Sequence, residues 1–250
     1  MTALLEGEDL TVRFETDDGP LTVFEGLDVQ VEPGEFLTVM GPSGCGKTTV
    51  LNALAGLVPL ERGTVRYDGE AIEPGEFSYG YVFQEPRLLD WRTVAENLAF
   101  ALRGAGVPEA ERGSRIETWL DRVGLADEAD SYPRELSGGM RQRVGVARAL
   151  AVDPEVLLMD EPFSSLDDVT GRGLRRDLLE LWGETGKEIL FVTHDLREAV
   201  TLSDRVLFMD AEGAFFDEAE IPHDRPRDFD DPALGETERR LAERFFAELG

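Results

Sequence analysis

Apolar residues in this chain fall into three kinds of pattern, and each predicts a different element. Over the first 35 residues they alternate with polar ones, as in LTVRF and LDVQV, and the turn-rich TDDGP lies between, which predicts antiparallel strands. Further on come short continuous runs: FLTVM at 36–40, SYGYVF at 78–83, EVLLM at 155–159, EILFV at 188–192 and RVLFM at 205–209. Such runs suit strands buried on both faces. Between residues 93 and 151 the spacing becomes helical, in TVAENLAFALRG, PEAERGSRIETWLDRVGL and the stretch that opens LSGGMRQRVG. Helices are predicted also at 48–57 and through LRRDLLELWGE. Strands alternating with helices specify an α/β fold, with an antiparallel β subdomain at the start and a helical subdomain inserted at about 88–152. From His223 the chain is charged and contains proline, and it ends in a predicted helix, ETERRLAERFFAEL, whose apolar positions 241, 245, 246 and 249 form one face.

A length of 250 residues with 42% hydrophobic content supports one large domain, or a core with a subdomain inserted into it. The opening MTALLEGEDL is acidic and leads into no apolar stretch, so no secretory signal is expected. No apolar run approaches the roughly 18 residues of a spanning helix. The expectation is a soluble chain, or one held at a membrane through a partner. The single cysteine, Cys45, can form no internal disulfide and is compatible with a reducing compartment.

Charge narrows the partners. There are 52 acidic and 25 basic side chains, a net charge of -27, and the basic set is 2 Lys and 23 Arg. Such a surface repels nucleic acid phosphate and anionic lipid headgroups. Acidity with scarce lysine resembles cytoplasmic proteins of salt-accumulating organisms, whose charges are screened at high ionic strength. A GC-rich genome would explain the arginine bias but not the acidic excess.

The chemistry lies at the ends of the apolar runs. GPSGCGKT fits G-x-x-x-x-G-K-[ST] between a predicted strand and a predicted helix, the context in which backbone N–H groups cradle phosphates. Gly41, Pro42, Ser43, Gly44, Cys45, Gly46, Lys47, Thr48 and Thr49 form this loop, with Lys47 reaching the outer phosphates and the Thr48 hydroxyl able to ligate magnesium. VLLMDEP delivers Asp160 and Glu161 to another strand tip: the first suits a magnesium partner, the second the polarisation of an attacking water. Gln84 follows SYGYVF and His194 follows EILFVT in the same way. Four polar strand tips imply one shared site at one edge of the sheet. LSGGMRQRVG is a second phosphate-binding arrangement, a hydroxyl and bare amides at a helix start, but without the lysine and magnesium ligand of the first.

Taken in order, GPSGCGKTT, Gln84, LSGGMRQRV, LLMDEP, SSLD at 164–167 and His194 resemble the ATP-binding cassette (ABC) ATPases, from about residue 4 to beyond 210. The resemblance implies the P-loop NTPase fold of an ABC nucleotide-binding domain over 1–222, with 223–250 as a C-terminal extension. It implies ATP and Mg2+ as cofactors and ATP hydrolysis as the activity. By resemblance Phe14 stacks on adenine in place of the usual tyrosine, Lys47, Thr48, Gln84 and Asp160 contact phosphate or magnesium, Glu161 is the general base, and His194 contacts the γ-phosphate. Ser137, Gly138 and Gly139 then act in trans on a nucleotide held by a second copy, and Asp167 lies in the loop linking the two sites.

The stretch YVFQEPRLLDWRTVAENLAFAL, with Asp90 where proline is usual, resembles the importer subfamily for nitrate, sulfonate, taurine and similar small solutes, as does the tail IPHDRPRDFDDPAL. The segment between Met209 and Ile221 is shorter than usual there. That resemblance implies permease subunits, a solute-binding protein reached through them, and a peripheral place on the cytoplasmic face of the membrane. Leu88, Leu89 and Trp91 are apolar loop residues that either pack locally or line the groove for a permease helix. A soluble ABC ATPase of DNA repair or translation is the alternative class, disfavoured by the absence of a long coiled-coil insertion and by the acidity. The ATPase subunit of an exporter is a further alternative.

Overall fold

A computed structural model describes residues 4–17, 19–164, 166, 168–225, 227 and 231–249. The chain forms two compact units, one from residues 1–78 with 187–250 and the other from residues 79–186.

In the first unit, β1 (Leu5–Thr16) and β2 (Gly19–Val31) form an antiparallel hairpin with Phe14 opposite Leu21. β4 (Arg62–Tyr67) and β5 (Glu70–Ile72) extend it in the order β2-β1-β4-β5, as the alternating pattern predicts. The same unit holds β3 (Phe36–Met40), paired in parallel with both β8 (Glu188–Thr193) and β9 (Arg205–Met209), while β10 (Phe215–Glu220) closes the edge antiparallel to β9. All five residues of β3 are buried, so its continuous apolar run reflects cover on both faces. α6 (Leu196–Leu202) packs on β3 and β8, α7 (Pro232–Leu249) packs on α6 and reaches Met40, and α1 (Lys47–Leu54) packs on β8.

The terminal helix α7 starts four residues earlier than ETERRLAERFFAEL predicts. Pro232 tolerates the first turn because its missing N–H would have no intrahelical partner, and the Asp231 carboxylate accepts from the N–H of Ala233 at 2.9 Å. The buried stripe is Leu234, Leu241 and Phe245, packed with Val200, Val206, Phe208 and Met40. Phe246 is 66% exposed, one residue and about 100° around the helix from Phe245, so it does not share the buried face. The side chain of Leu249 is outside the described residues.

In the second unit, β6 (Tyr79–Val82) runs parallel to β7 (Val156–Asp160), shorter by one residue at each end than its apolar run suggests. Around them lie α2 (Val94–Gly104), α3 (Glu109–Arg122), α4 (Gly138–Ala151) and α5 (Asp168–Thr185). α2 starts at a capping box, with Thr93 accepting from the N–H of Glu96 and Glu96 accepting from the N–H of Thr93. Val94, Leu98 and Leu102, four apart on α2, close a core with Leu120 of α3 and Val144 and Ala147 of α4. Among the described residues no helix is long and apolar enough to cross a membrane.

Candidate functional site

In the first unit the phosphate-loop sequence lies between β3 and α1, as the motif requires. Gly44 and Gly46 take left-handed φ values of +85° and +110°, open only to glycine at low cost. Two of the glycines are demanded by packing as well. A β-carbon on Gly41 would lie 2.7 Å from the carbonyl oxygen of Met209, and one on Gly46 would lie 2.9 Å from the Val23 side chain. Lys47 is 4% exposed, and its ammonium donates to the carbonyls of Gly41 (2.9 Å) and Pro42 (2.8 Å), bridging the start of the loop. Thr48 is exposed at the first turn of α1 and Thr49 is half-buried. Burial pushes the Cys45 thiol up, more than the Lys47 charge pulls it back, so the thiol is no nucleophile at neutral pH.

β8 brings His194 to the same end of the sheet. Met40 pairs with Thr193, so Gly41 and His194 each follow the paired position. The Thr193 hydroxyl donates to the Glu198 carboxylate at 2.7 Å and accepts from the N–H of Asp195 at 3.0 Å. The Asp195 carboxylate in turn caps α6, accepting from the N–H of Arg197 at 2.8 Å. Phe14, half-buried on β1, belongs to this unit too.

The second unit gathers Gln84, Asp160 and Glu161. Val82 pairs with Met159, which sets Gln84 and Glu161 just beyond the same end of the strand pair. Gln84 Nε2 donates to Ser164 Oγ at 3.1 Å, and Ser164 Oγ donates to the Glu161 carbonyl at 2.9 Å, so one serine of the SSLD stretch ties the glutamine to the acidic turn. Asp160 is 7% exposed. Glu161 holds φ at +38°, a left-handed conformation that costs a non-glycine residue about 1–2 kcal/mol and is the kind of strain functional sites retain. Asp167 lies outside the described residues.

Ser137 is exposed and caps α4, its hydroxyl accepting from the N–H of Met140 at 3.3 Å. Gly138 follows with open space where a side chain would go: the nearest atom to an added β-carbon is Arg141 Nη2 at 3.9 Å. Gly139 is buried. Further along α4, Gln142 Nε2 donates to the Phe83 carbonyl at 3.1 Å, while Arg148 donates to the carbonyls of Pro86 (2.7 Å) and Arg87 (2.9 Å). The helix that begins at Ser137 therefore holds the segment on both sides of Gln84. Neither tie was visible in the sequence, because a glutamine and an arginine on a helix announce no partner.

The family profile of the ABC transporters matches residues 24–164. The chain belongs to the ABC transporter family. An uncharacterized ABC transporter ATP-binding protein of Methanocaldococcus jannaschii is 44% identical over 229 residues, 91% of this chain and 86% of that protein. The taurine import ATP-binding protein TauB of Escherichia coli O157:H7 is 46% identical over 193 residues, 77% of this chain and 76% of its own. Two solved structures share the fold. A dimeric post-hydrolysis state of the ATP-binding cassette MJ0796, bound to ADP and Pi, covers 88% of this chain at TM-score 0.76 and 30% identity. A dimeric structure of MJ0796 described as a bacterial ABC transporter cassette also covers 88%, at TM-score 0.78 and 28% identity, and each match takes in 100% of the MJ0796 chain.

As an ABC family member the chain has the α/β P-loop fold of the ATPase cassettes, and it is an ATPase. Its residues fit the nucleotide. Glycines at left-handed φ turn the loop tightly into the start of α1, where helix-start N–H groups suit a phosphate. In the second unit the Gln84 amide oxygen and the Asp160 carboxylate are hard oxygen donors of the kind magnesium takes, as is the Thr48 hydroxyl in the first.

Proposed function

We propose that this chain is the ATP-hydrolysing subunit of a membrane importer for a small solute of the nitrate, sulfonate or taurine class. It works as a homodimer, bound to the cytoplasmic face of the membrane through permease subunits that a solute-binding protein supplies. The observation that carries this reading is the 46% identity to a taurine import ATP-binding protein over 77% of the chain. Support for the dimer comes from the dimeric MJ0796 cassettes that share the fold over 88% of this chain, and the exposed start of α4 at Ser137 and Gly138 suits a partner's approach.

Within the cassette, the loop amides from Gly41 to Thr49 and the Lys47 ammonium bind the phosphates, and Phe14 stacks on the adenine. Lys47 exchanges its two loop carbonyls for phosphate oxygens, a charge-assisted pairing in place of a neutral one. Thr48, Gln84 and Asp160 would hold magnesium, which would neutralise charge on the phosphates. Glu161 accepts a proton from the attacking water and His194 orients the outermost phosphate. Ser137, Gly138 and Gly139 present a hydroxyl and helix-start amides to the nucleotide of the second copy, and Asp167 links the two sites. The ties from α4 to the segment around Gln84 then join this chain's own site to the half-site it lends its partner.

The test is purification from the native membrane with a tag on this chain. Recovery of a multi-span permease, with ATPase activity raised by a solute-loaded binding protein, is expected. A soluble complex with nucleic acid, or stimulation by a solute on the cytoplasmic side alone, would overturn the importer reading.

A further inference from the structure

The segment after residue 220 has no part in the chemistry assigned above, yet it is built into the helix that follows His194. α6 has only two turns, and it is gripped at both ends. At its start the contacts of Thr193, Asp195 and Glu198 fix the backbone on either side of His194. At its end stands Arg227, 7% exposed. Its Nη1 donates to the Val200 carbonyl at 3.2 Å and also to the Ser203 carbonyl. Nη2 donates to the carbonyls of Ile221 (3.2 Å) and His223 (2.7 Å), and Nε donates to His223 at 2.9 Å. The Val200 and Ser203 carbonyls are acceptors that the end of α6 leaves unmet, and a buried cation there also faces the negative end of the helix dipole.

Arg225 makes a second attachment. It pairs with Asp204 at 2.9 Å, and the same carboxylate accepts from the N–H of Phe36 at 3.0 Å, the first residue of the strand that leads to the phosphate loop. Leu234, Leu241 and Phe245 of α7 then pack over Ala199 and Val200 of α6 and over Met40, the residue before Gly41. Apolar residues alone could cover the sheet. Burying an arginine instead carries a heavy desolvation cost, offset in part by the Val200 and Ser203 carbonyls at the end of α6, the helix that follows His194, and in part by the segment's own Ile221 and His223 carbonyls.

We propose that Arg227 is a positioning residue for His194: the C-terminal segment straps the end of α6, and the strap sets where the histidine sits at the tip of β8. This rests on the reading that His194 meets the outermost phosphate. Hydrolysis is thereby made to depend on a segment outside the nucleotide site, and lifting Ile221, His223 and Arg227 from α6 slows turnover while the phosphate loop still binds ATP.

The experiment uses the full chain with Arg227→Met, Arg227→Lys, His194→Ala and the double variant, comparing kcat, KM for ATP and melting temperature. Arg227→Met is expected to lower kcat about tenfold with KM for ATP within about twofold of wild type, since small displacements of a reacting group cost 10- to 100-fold. Arg227→Lys, which keeps the charge but not the planar fork, recovers part of the loss and also serves if the Met variant does not fold. In the His194→Ala background Arg227→Met causes no further fall in kcat, because the residue it positions is gone. A folded Arg227→Met or Arg227→Lys protein with wild-type kcat, or a full additional loss on top of His194→Ala, overturns the strap. Wild-type turnover in His194→Ala alone overturns the reading of the histidine, and the strap with it.

Discussion

The turn before α1 and the turn before α4 are both glycine-containing helix starts, and they are built in opposite ways. The first is closed on its own chain. Gly41 is pressed against Met209, Gly46 against Val23, and a buried lysine bridges the loop's carbonyls. The second is open: Ser137 caps its helix from an exposed position and Gly138 touches almost nothing. Neither packing nor φ demands a glycine at 138, so the backbone there is open to approach from outside. The comparison separates a loop packed against its own chain from a helix start that stays open.

The largest effect is expected at neither turn but at Glu161. Glu161→Gln should cut turnover by about a hundredfold or more, the range for losing a general base, while ATP still binds. Phosphate release and equilibrium nucleotide binding on one preparation check this, and normal turnover would remove Glu161 from that role.

Substituting the two glycines breaks the comparison directly. Gly41→Ala forces a β-carbon against backbone and should destabilise the fold by about 1–3 kcal/mol, the cost of overpacking. Gly138→Ala should leave the melting temperature unchanged or slightly raised, alanine being the better helix former, and yet slow hydrolysis. Equal destabilisation by both, in thermal melts, would erase the distinction. Ser137→Arg should likewise lose hydrolysis with no loss of ATP affinity in the monomer.

The turns also sit in differently charged units. The unit holding the phosphate loop carries 32 acidic and 12 basic side chains, and the other 20 and 13. Self-repulsion of this kind is relieved by salt, so the melting temperature and activity should rise with KCl, the first unit gaining more in hydrogen-exchange protection. A flat response from low to molar salt contradicts this. The smallest effect is at Cys45, inside the first turn but buried and with its thiol pushed up: Cys45→Ala should keep turnover within about twofold, and thiol reagents at neutral pH should not inhibit.

The strand and helix order was legible because apolar runs and helical spacings report burial: FLTVM is the buried β3, and EVLLM is β7 shifted by one residue, with Glu155 exposed before it and Asp160 as its last residue. The phosphate loop was legible because its chemistry is local to eight residues. What was not legible depends on distant partners. The Ser164 bridge between Gln84 and Glu161 joins positions 80 apart, and the grip of Arg227 on α6 spans 24 to 27 residues. The terminal helix was read too short, and Phe246 was placed on the wrong face, because a charged segment with proline hid the first turn while adjacent phenylalanines looked like one stripe.

The central claim is that the turn at Ser137 completes a nucleotide site belonging to a second copy. Light scattering of the Glu161→Gln protein at saturating ATP, with and without Ser137→Arg, tests it most directly. The account predicts a dimer holding two ATP for Glu161→Gln alone, and a monomer that binds ATP with undiminished affinity once Ser137→Arg is added. A Glu161→Gln protein that stays monomeric with ATP bound, or a Ser137→Arg change that weakens binding to the monomer, would contradict it.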